Sequence, residues 1–274
     1  MIINKFWQAS ADGLNFTFGE SAPTKLPSGL YNIHHDSWGH TIMRSLEQKK
    51  ETLCKFKCGP TVTLLDELKK FWDSENIYKE LGIAYKRSAL LHGPAGCGKS
   101  GAIARIISET IANDGIVLLQ DNFNDFSDLI KKFKKAEKDR KVVIIIEDID
   151  KRLSYDEEEV LEIFDGNTSE TNVFYISTTN FVSDLPNRFV NRPGRVDVRI
   201  EFPFLSLEQK KEYLSFLNVD KVMATAIAKV SKSVTLAQLK EMVTLTKVFG
   251  KTPAEAAKQA TYRIKVKEGE NEDE

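Results

Sequence analysis

Eight consecutive residues have the types and spacing of a loop that binds phosphate. They read Gly93-Pro94-Ala95-Gly96-Cys97-Gly98-Lys99-Ser100 and fit the pattern G-x-x-x-x-G-K-[ST]. In such a loop the glycines let the backbone wrap an anion, the lysine reaches the β- and γ-phosphates, and the serine hydroxyl is offered to Mg²⁺. The sequence therefore predicts a nucleotide site, with Mg²⁺ held in part by Ser100.

The residues on either side of the loop have the patterns that such a site requires. Ser88–Leu91 is a short apolar run typical of a buried strand, and Ala102–Ile107 is compatible with a helix. Phosphates are bound by free backbone N–H groups at a helix N-terminus, so strand, loop and helix must follow one another in this order. The context therefore favours a nucleotide site over a glycine-rich turn.

Acidic residues follow a second apolar run. Val142–Ile146 predicts a central buried strand, and Glu147, Asp148 and Asp150 come directly after it. A Mg-nucleotide needs one acid near the metal and another group that orients or deprotonates the attacking water. We predict that Glu147 lies on the Mg²⁺ side and that Asp148 activates the water. Loop acids that merely face solvent are the alternative.

Two further polar segments complete the candidate site. Asn180 ends a predicted strand, so its amide is a candidate for holding the lytic water or the γ-phosphate, although asparagine after a strand is also a common turn former. Arg192 and Arg195 bracket a Pro-Gly turn and present two guanidinium groups at a fixed separation, each able to bind phosphate oxygens in a planar, bidentate way. Exposed arginines beside a turn are the alternative.

Between Tyr85 and Phe204, short apolar strands alternate with helical segments. This alternation predicts an α/β fold with a parallel sheet and helices on both faces, as in P-loop NTPases. The strands are expected at about 88–91, 115–119, 142–146, 173–177 and 198–202.

The sequence outside this region has a different composition and a different apolar pattern. Short β-leaning pieces between glycines and prolines, including a hairpin with strands near 30–33 and 40–43, predict a small β-rich N-terminal module. Beyond Leu207 only helical patterns occur, which predicts a small all-α lid. The expected domains are a β-rich module at 1–60, a helical linker at 61–84, the nucleotide-binding α/β domain at 85–204, the lid at 205–265 and an acidic tail at 266–274.

Composition excludes few function classes. The formal net charge of the 274 residues is −1, which gives no global attraction to nucleic acid or to a membrane surface. Apolar runs are too short to span a bilayer, and the first residues lack the pattern of a secretory signal. The three cysteines are too few and too unevenly spaced for a disulfide framework. We expect a cytoplasmic protein with reduced thiols and no membrane partner.

The four motifs, in this order, resemble the AAA clade of the AAA+ ring ATPases, and within it the branch that contains the mitochondrial translocase of the Rieske protein. The resemblance covers about Tyr85 to Pro203 and includes Leu161–Gly166, which is similar to the family's helix ending in Asp-Gly. It implies ATP as the nucleotide, Asn180 as sensor 1, and Arg192 and Arg195 as arginine fingers acting on the ATP of a neighbouring subunit. A homo-oligomeric ring, expected to be a hexamer, follows from the resemblance and not from composition.

The sequence departs from the family pattern at several positions. The acids read Glu147-Asp148 where most members have Asp-Glu, an inversion also seen in the translocase branch. Ala95 stands where many members have proline, and Cys97 where threonine is common. Both residues use their backbone amides, which point into the phosphate loop, so we expect nucleotide binding to persist.

Three weaker patterns remain open. Phe123 lies where the family places an aromatic pore loop that grips polypeptide, and it is either a pore residue or an ordinary loop residue. The lysine-rich run at 131–138 is expected to be a solvated helix face, with nucleic-acid binding as the alternative. A zinc site built from N-terminal histidines and Cys54 and Cys58 is disfavoured because the spacing matches no tight zinc signature.

Three hypotheses for function follow. The first is an ATP-hydrolysing AAA ring subunit that remodels or translocates a protein partner. The second is a DNA-directed motor or loader, and the third is a nucleotide-gated assembly scaffold with slow hydrolysis. Stimulation of hydrolysis by unfolded polypeptide, by DNA or by neither would discriminate among them.

Overall fold

A computed structural model describes residues 6–9, 14–19, 25–35, 41–47, 53–120, 130, 133–134, 137–165 and 172–262. The chain divides into two compact units. The first comprises Met1–Pro94 and Lys99–Phe202, and the second comprises Ala95–Gly98 and Pro203–Glu274.

The first unit is built on one sheet whose strands run in the order β1-β2-β4-β3-β6-β7-β8-β5-β9. In chain order the strands are β1 (Phe6–Ala9), β2 (Asn15–Gly19), β3 (Gly29–His35), β4 (Thr41–Leu46), β5 (Lys86–His92), β6 (Ile116–Leu119), β7 (Val142–Ile146), β8 (Val173–Thr179) and β9 (Val198–Glu201). All neighbours from β3 to β9 across the sheet pair in parallel. The α/β fold with a parallel sheet is confirmed.

The N-terminal strands extend this sheet instead of forming one of their own. β3 and β4 form the predicted antiparallel hairpin, β1 and β2 add two more antiparallel strands, and β3 pairs in parallel with β6. Arg140 strengthens the junction, since its Nη2 donates to the carbonyl of Leu26 at 3.0 Å while the amide of Leu26 donates to Glu137 at 2.8 Å. The β-rich segment is therefore continuous with the nucleotide-binding sheet.

Helices cover the sheet as the apolar spacing predicts. Those of the first unit are α1 (Pro60–Asp73), α2 (Glu75–Leu81), α3 (Lys99–Ala112), α4 (Ile149–Tyr155), α5 (Glu157–Asp165) and the short α6 (Asn187–Val190). α1 buries Leu64, Leu68 and Phe71 at helical spacing. α2 ends at Gly82, which adopts a left-handed φ of 64° as expected for a helix stop.

The core lies at the central strands. Every residue of β7 is fully buried, and so is almost all of β8, as expected for strands covered on both faces. Each such Val or Ile contributes roughly 1.5–3 kcal/mol through burial. A rigid centre of this kind fixes where β5, β7 and β8 end, and the candidate site is built on those ends.

The second unit is helical, as the sequence predicts for its C-terminal part. It contains α7 (Leu207–Phe216), α8 (Lys221–Val230), α9 (Leu236–Lys247) and α10 (Pro253–Ala260). Side-chain oxygens cap all four N-termini, and α7, α9 and α10 have full capping boxes. Pro253 occupies the first turn of α10, where proline is tolerated.

Several predictions fall outside the described residues. They include Phe123, half of the lysine-rich run at 131–138 and the acidic tail, whereas Ile130 and Phe133 are described and fully buried. The side chains of His34 and His35 are not described, and no group of three or more potential metal ligands occurs among the side chains that are. Within the described part of the chain, no helix is both long enough and apolar enough to cross a membrane.

Candidate active site

The phosphate-loop sequence adopts a backbone that needs its glycines. Gly93, Gly96 and Gly98 have φ values of 134°, 79° and 104°, a region that L side chains rarely enter. A Cβ at Gly93 would lie 2.3 Å from the carbonyl oxygen of Phe202, because the end of β9 passes directly beside it. The loop leads into the N-terminus of α3, whose first-turn N–H groups have no helical acceptor. This cradle fits a phosphate chain.

Lys99 lies at the first position of α3 and is buried. Its Nζ donates to the carbonyl oxygens of Gly93 and Pro94, the latter at 3.2 Å, and to Oδ1 of Asn180 at 2.7 Å. The ammonium is therefore held by oxygens of the loop and of the strand end that follows β8. A buried ammonium at the N-terminus of α3 is suited to bind a phosphate anion.

Three motifs meet at one edge of the sheet because their strands are parallel neighbours. β8 lies between β5 and β7, so Asn180 emerges between the start of the phosphate loop and the acids Glu147 and Asp148. Asn180 is partly buried, whereas Glu147 and Ser100 are exposed. Serine hydroxyl and carboxylate oxygens are the hard ligands that Mg²⁺ prefers, so Ser100 and Glu147 have the chemistry to hold it.

Asp148 has an unusual backbone for a residue with a side chain. Its φ and ψ are 51° and 53°, the left-handed region, which costs of order 1–3 kcal/mol outside glycine. Its amide N–H donates to Thr178 Oγ1 at 3.2 Å, and Lys151 Nζ donates to its carboxylate at 2.8 Å. This carboxylate holds the pKa of Lys151 above its ordinary value through the hydrogen bond and its charge. Strained backbone of this kind is common at functional sites.

The two candidate arginines differ in their surroundings. The Arg195 side chain is only 7% exposed and binds both carboxylate oxygens of Asp165, at the end of α5, while its Nη1 donates to the carbonyl of Arg188 at 2.8 Å. The Arg192 side chain is 58% exposed and has one contact with Asp165, at 3.3 Å. The turn therefore buries one guanidinium against its own chain and presents the other to solvent.

Charge pairing fixes α5 at both ends, to the arginine turn through Asp165 and to α6 through Glu157. The hydrogen bond and charge of Arg195, aided by Arg192, hold the pKa of Asp165 below its ordinary value despite partial burial. At the other end of α5, an ion pair with Arg188 lowers the pKa of Glu157 in the same way. Phe164 of α5 also packs edge-on against Phe189, at 5.1 Å between ring centroids.

Sequence reasoning missed the supporting residues. Asp165 lies in the segment Leu161–Gly166, and Thr178 and Thr179 lie between the predicted strand at 173–177 and Asn180, but nothing in their spacing indicates which partners they bind. The one available signal was position, because hydroxyl-bearing residues at the end of β8 must lie beside whatever follows β7. The roles predicted for Glu147, Asp148, Asn180, Arg192 and Arg195 remain predictions.

Comparison with known proteins agrees with this geometry. Residues 89–204 match the family described as "ATPase family associated with various cellular activities (AAA)". The chain contains an AAA ATPase domain. The matched segment begins in β5 and runs beyond β9, so it holds the phosphate loop, both acids, Asn180 and the arginine turn. The expected resemblance to the AAA ATPases is confirmed for this domain.

Relatives of this domain include named chaperone and proteasome proteins. "Mitochondrial chaperone BCS1" of Danio rerio is 29% identical over 161 residues, 52% of this chain and 37% of that protein. "26S proteasome regulatory subunit 6B homolog" of Aspergillus niger is 31% identical over 156 residues, 50% of this chain and 36% of that protein. "Uncharacterized protein R776" of Acanthamoeba polyphaga mimivirus is 32% identical over 127 residues, which are 45% of this chain and 38% of that protein.

These matches cover only part of each relative, which limits what can be inferred from them about this chain. The chain spans less than two fifths of the length of each of these curated relatives. The resemblance to the branch of the mitochondrial translocase is reflected in the BCS1 match. The similarity covers the AAA domain, and it does not establish the substrates or partners of this chain.

Proposed function

We propose that this protein is an ATP-hydrolysing ring subunit that couples ATP turnover to the remodelling or translocation of a protein partner. The observation that carries the proposal is the meeting of phosphate loop, acids and Asn180 at one sheet edge, with Lys99 Nζ 2.7 Å from Asn180 Oδ1. Each group required for phosphoryl transfer to water has a candidate there.

The reaction is an in-line attack of water on the γ-phosphorus of ATP. The bond from the γ-phosphorus to the bridging oxygen breaks, giving ADP, phosphate and a proton. Lys99 neutralises the phosphate oxygens, Asp148 orients the water and accepts its proton, and Asn180 positions the water or the γ-phosphate. Ser100 and Glu147 would hold Mg²⁺, which would supply neutralisation of the charge that develops on the phosphates.

Arg192 is the better candidate for an arginine acting on a neighbouring subunit. Its guanidinium is largely exposed, whereas that of Arg195 is buried against Asp165. An arginine supplied in trans contributes about 10³–10⁵ to the rate of phosphoryl transfer. We assign Arg195 to holding the turn and Arg192 to the neighbour's ATP, in a homo-oligomeric ring that we take to be a hexamer.

A protein partner is favoured over nucleic acid by the names of the relatives, a chaperone and a proteasome regulatory subunit. The balanced net charge agrees with this preference, since nucleic-acid binding relies on basic surfaces. None of the three cysteines forms a disulfide, as expected in the cytoplasm or another reducing compartment.

The test is steady-state hydrolysis of Mg-ATP by the full chain, alone, with a permanently unfolded polypeptide, and with single-stranded DNA. The proposal predicts basal turnover that the polypeptide stimulates and DNA does not. Lys99→Ala should abolish turnover, while Lys229→Ala, an exposed lysine on α8, serves as the matched control. Stimulation by DNA alone would support a DNA-directed motor, and turnover indifferent to both would support an assembly scaffold.

A further inference from the structure

We propose that Thr178 is a positioning residue for Asp148: its hydroxyl holds the backbone of the acid in the conformation that aims the carboxylate at the attacking water. This inference rests on the proposed function. It concerns the last two residues of β8, which precede Asn180 and to which the mechanism above gives no role.

The backbone of Thr178 is held by strand pairing on its β5 side. β8 pairs in parallel with β7 up to Ser177, opposite Ile146, and with β5 through Thr178 and Thr179, opposite Leu91 and His92. Thr178 and Thr179 are therefore anchored on the strand that leads into the phosphate loop, and they extend beside the segment that follows β7. Their side chains are 5% and 0% exposed.

The Thr178 hydroxyl accepts a hydrogen bond from the backbone N–H of Asp148. Asp148 is the residue that caps α4, and its own side chain makes no capping hydrogen bond. Its left-handed backbone turns the amide N–H toward β8, where Thr178 Oγ1 accepts it at 3.2 Å. Asp148 is partly buried, so a partner for this N–H stabilises the left-handed state against conformations that would turn the carboxylate elsewhere.

Thr179 holds the first turn of α4 in a similar way, through Asp150. Its hydroxyl donates to Asp150 Oδ1 at 2.6 Å and accepts from the amide of Phe181 at 2.9 Å, so both of its hydrogen-bonding functions are used. Ile149, between the two aspartates, is fully buried. The start of α4 is thus held at three successive residues, and the same strand end also supplies Asn180.

The test compares Thr178→Val, Thr178→Ser and Thr110→Val by steady-state kinetics with Mg-ATP. Valine keeps the shape of threonine and removes the acceptor, whereas serine keeps the hydroxyl. Thr110 of α3 is a matched control, since it is fully buried and its hydroxyl has no hydrogen-bond partner among the described residues. Thr178→Ala supplies a second hydroxyl-free variant in case the valine variant does not fold.

Positioning predicts that kcat falls on the order of 10-fold to 10²-fold in Thr178→Val, with KM for ATP within about twofold of wild type. Thr178→Ser should recover most of kcat, and Thr110→Val should resemble wild type. An unchanged kcat in folded Thr178→Val or Thr178→Ala would overturn the inference, as would equal losses in the serine variant. A wild-type chain that binds but does not hydrolyse ATP would instead overturn the proposed function.

Discussion

Arg195 is bound to Asp165 through two of its guanidinium nitrogens, so that α5 and the arginine turn are joined within one chain by an ion pair whose arginine is buried. Arg192, three residues earlier, contacts the same carboxylate only once and stays exposed. Two arginines that look equivalent in the sequence therefore differ in what their removal should do.

We expect Arg195→Ala to destabilise the first unit and Arg192→Ala to leave its stability unchanged. Breaking a fully buried ion pair costs about 3–5 kcal/mol, and we expect about 1–2 kcal/mol here because Asp165, the partner left behind, is exposed to water. An exposed arginine contributes about 0–1 kcal/mol. Chemical denaturation followed by circular dichroism measures both. Equal midpoints for the two variants would contradict this division of roles.

Asp165 should make stability depend on pH in the acid range. Its pKa lies below the ordinary 3.8 when folded, chiefly because Arg195 hydrogen-bonds to it and favours the carboxylate. The stabilisation is therefore fully present above the ordinary pKa and is lost as pH falls through the folded value. Asp165→Asn should lower stability at pH 7 and flatten the loss below about pH 4, as seen in thermal melts across pH. Asp139→Asn, at an exposed site, is the control.

Gly93 and Gly101 should respond to alanine in opposite directions. Alanine at Gly93 places a Cβ 2.3 Å from a backbone oxygen at a φ of 134°, so the loop or the end of β9 must shift. A Cβ at Gly101, inside α3, meets nothing within 4 Å and should stabilise the helix by up to about 1 kcal/mol. Thermal melts should show a lower midpoint for Gly93→Ala and an equal or higher one for Gly101→Ala. A neutral Gly93→Ala would refute the close approach.

Substitutions of the two acids after β7 should have different effects on ATP hydrolysis. We expect Asp148→Asn to bind ATP with near-wild-type affinity and to turn over at least about 10²-fold more slowly, because the group that accepts the proton is lost. Glu147→Gln should retain measurable hydrolysis with a raised Mg²⁺ requirement. Filter-binding of labelled ATP and phosphate release, over a range of Mg²⁺ concentrations, distinguish the two. The reverse pattern would exchange the roles of Glu147 and Asp148.

Local pattern was sufficient to predict the elements of the sheet and the position of the site. β7 matches its predicted bounds because five consecutive apolar residues at 142–146 have no other stable place than a buried strand. The phosphate loop was predictable because glycine is needed at positive φ, as at Gly93, and because a helix must follow.

Pairings between distant segments were not predictable. The register that joins β3 to β6 depends on packing across some eighty residues of chain, so the sequence indicated a β-rich segment and not its continuation of the sheet. The burial of Arg195 and the exposure of Arg192 likewise depend on where α5 ends, at Asp165. The left-handed Asp148 has no local sequence signal, because it is held by Thr178 from another strand.

The most direct test of the account is the ATPase rate per subunit for Arg192→Ala and Asp148→Asn, separately and mixed, over a range of protein concentrations. If Arg192 acts on a neighbour's ATP, the wild-type rate rises with assembly. Mixed assemblies should then regain activity, because one intact site combines Asp148 of one subunit with Arg192 of the next. A rate that is independent of concentration, with no recovery in assemblies shown to be mixed, would contradict a shared site and confine the chemistry to a single chain.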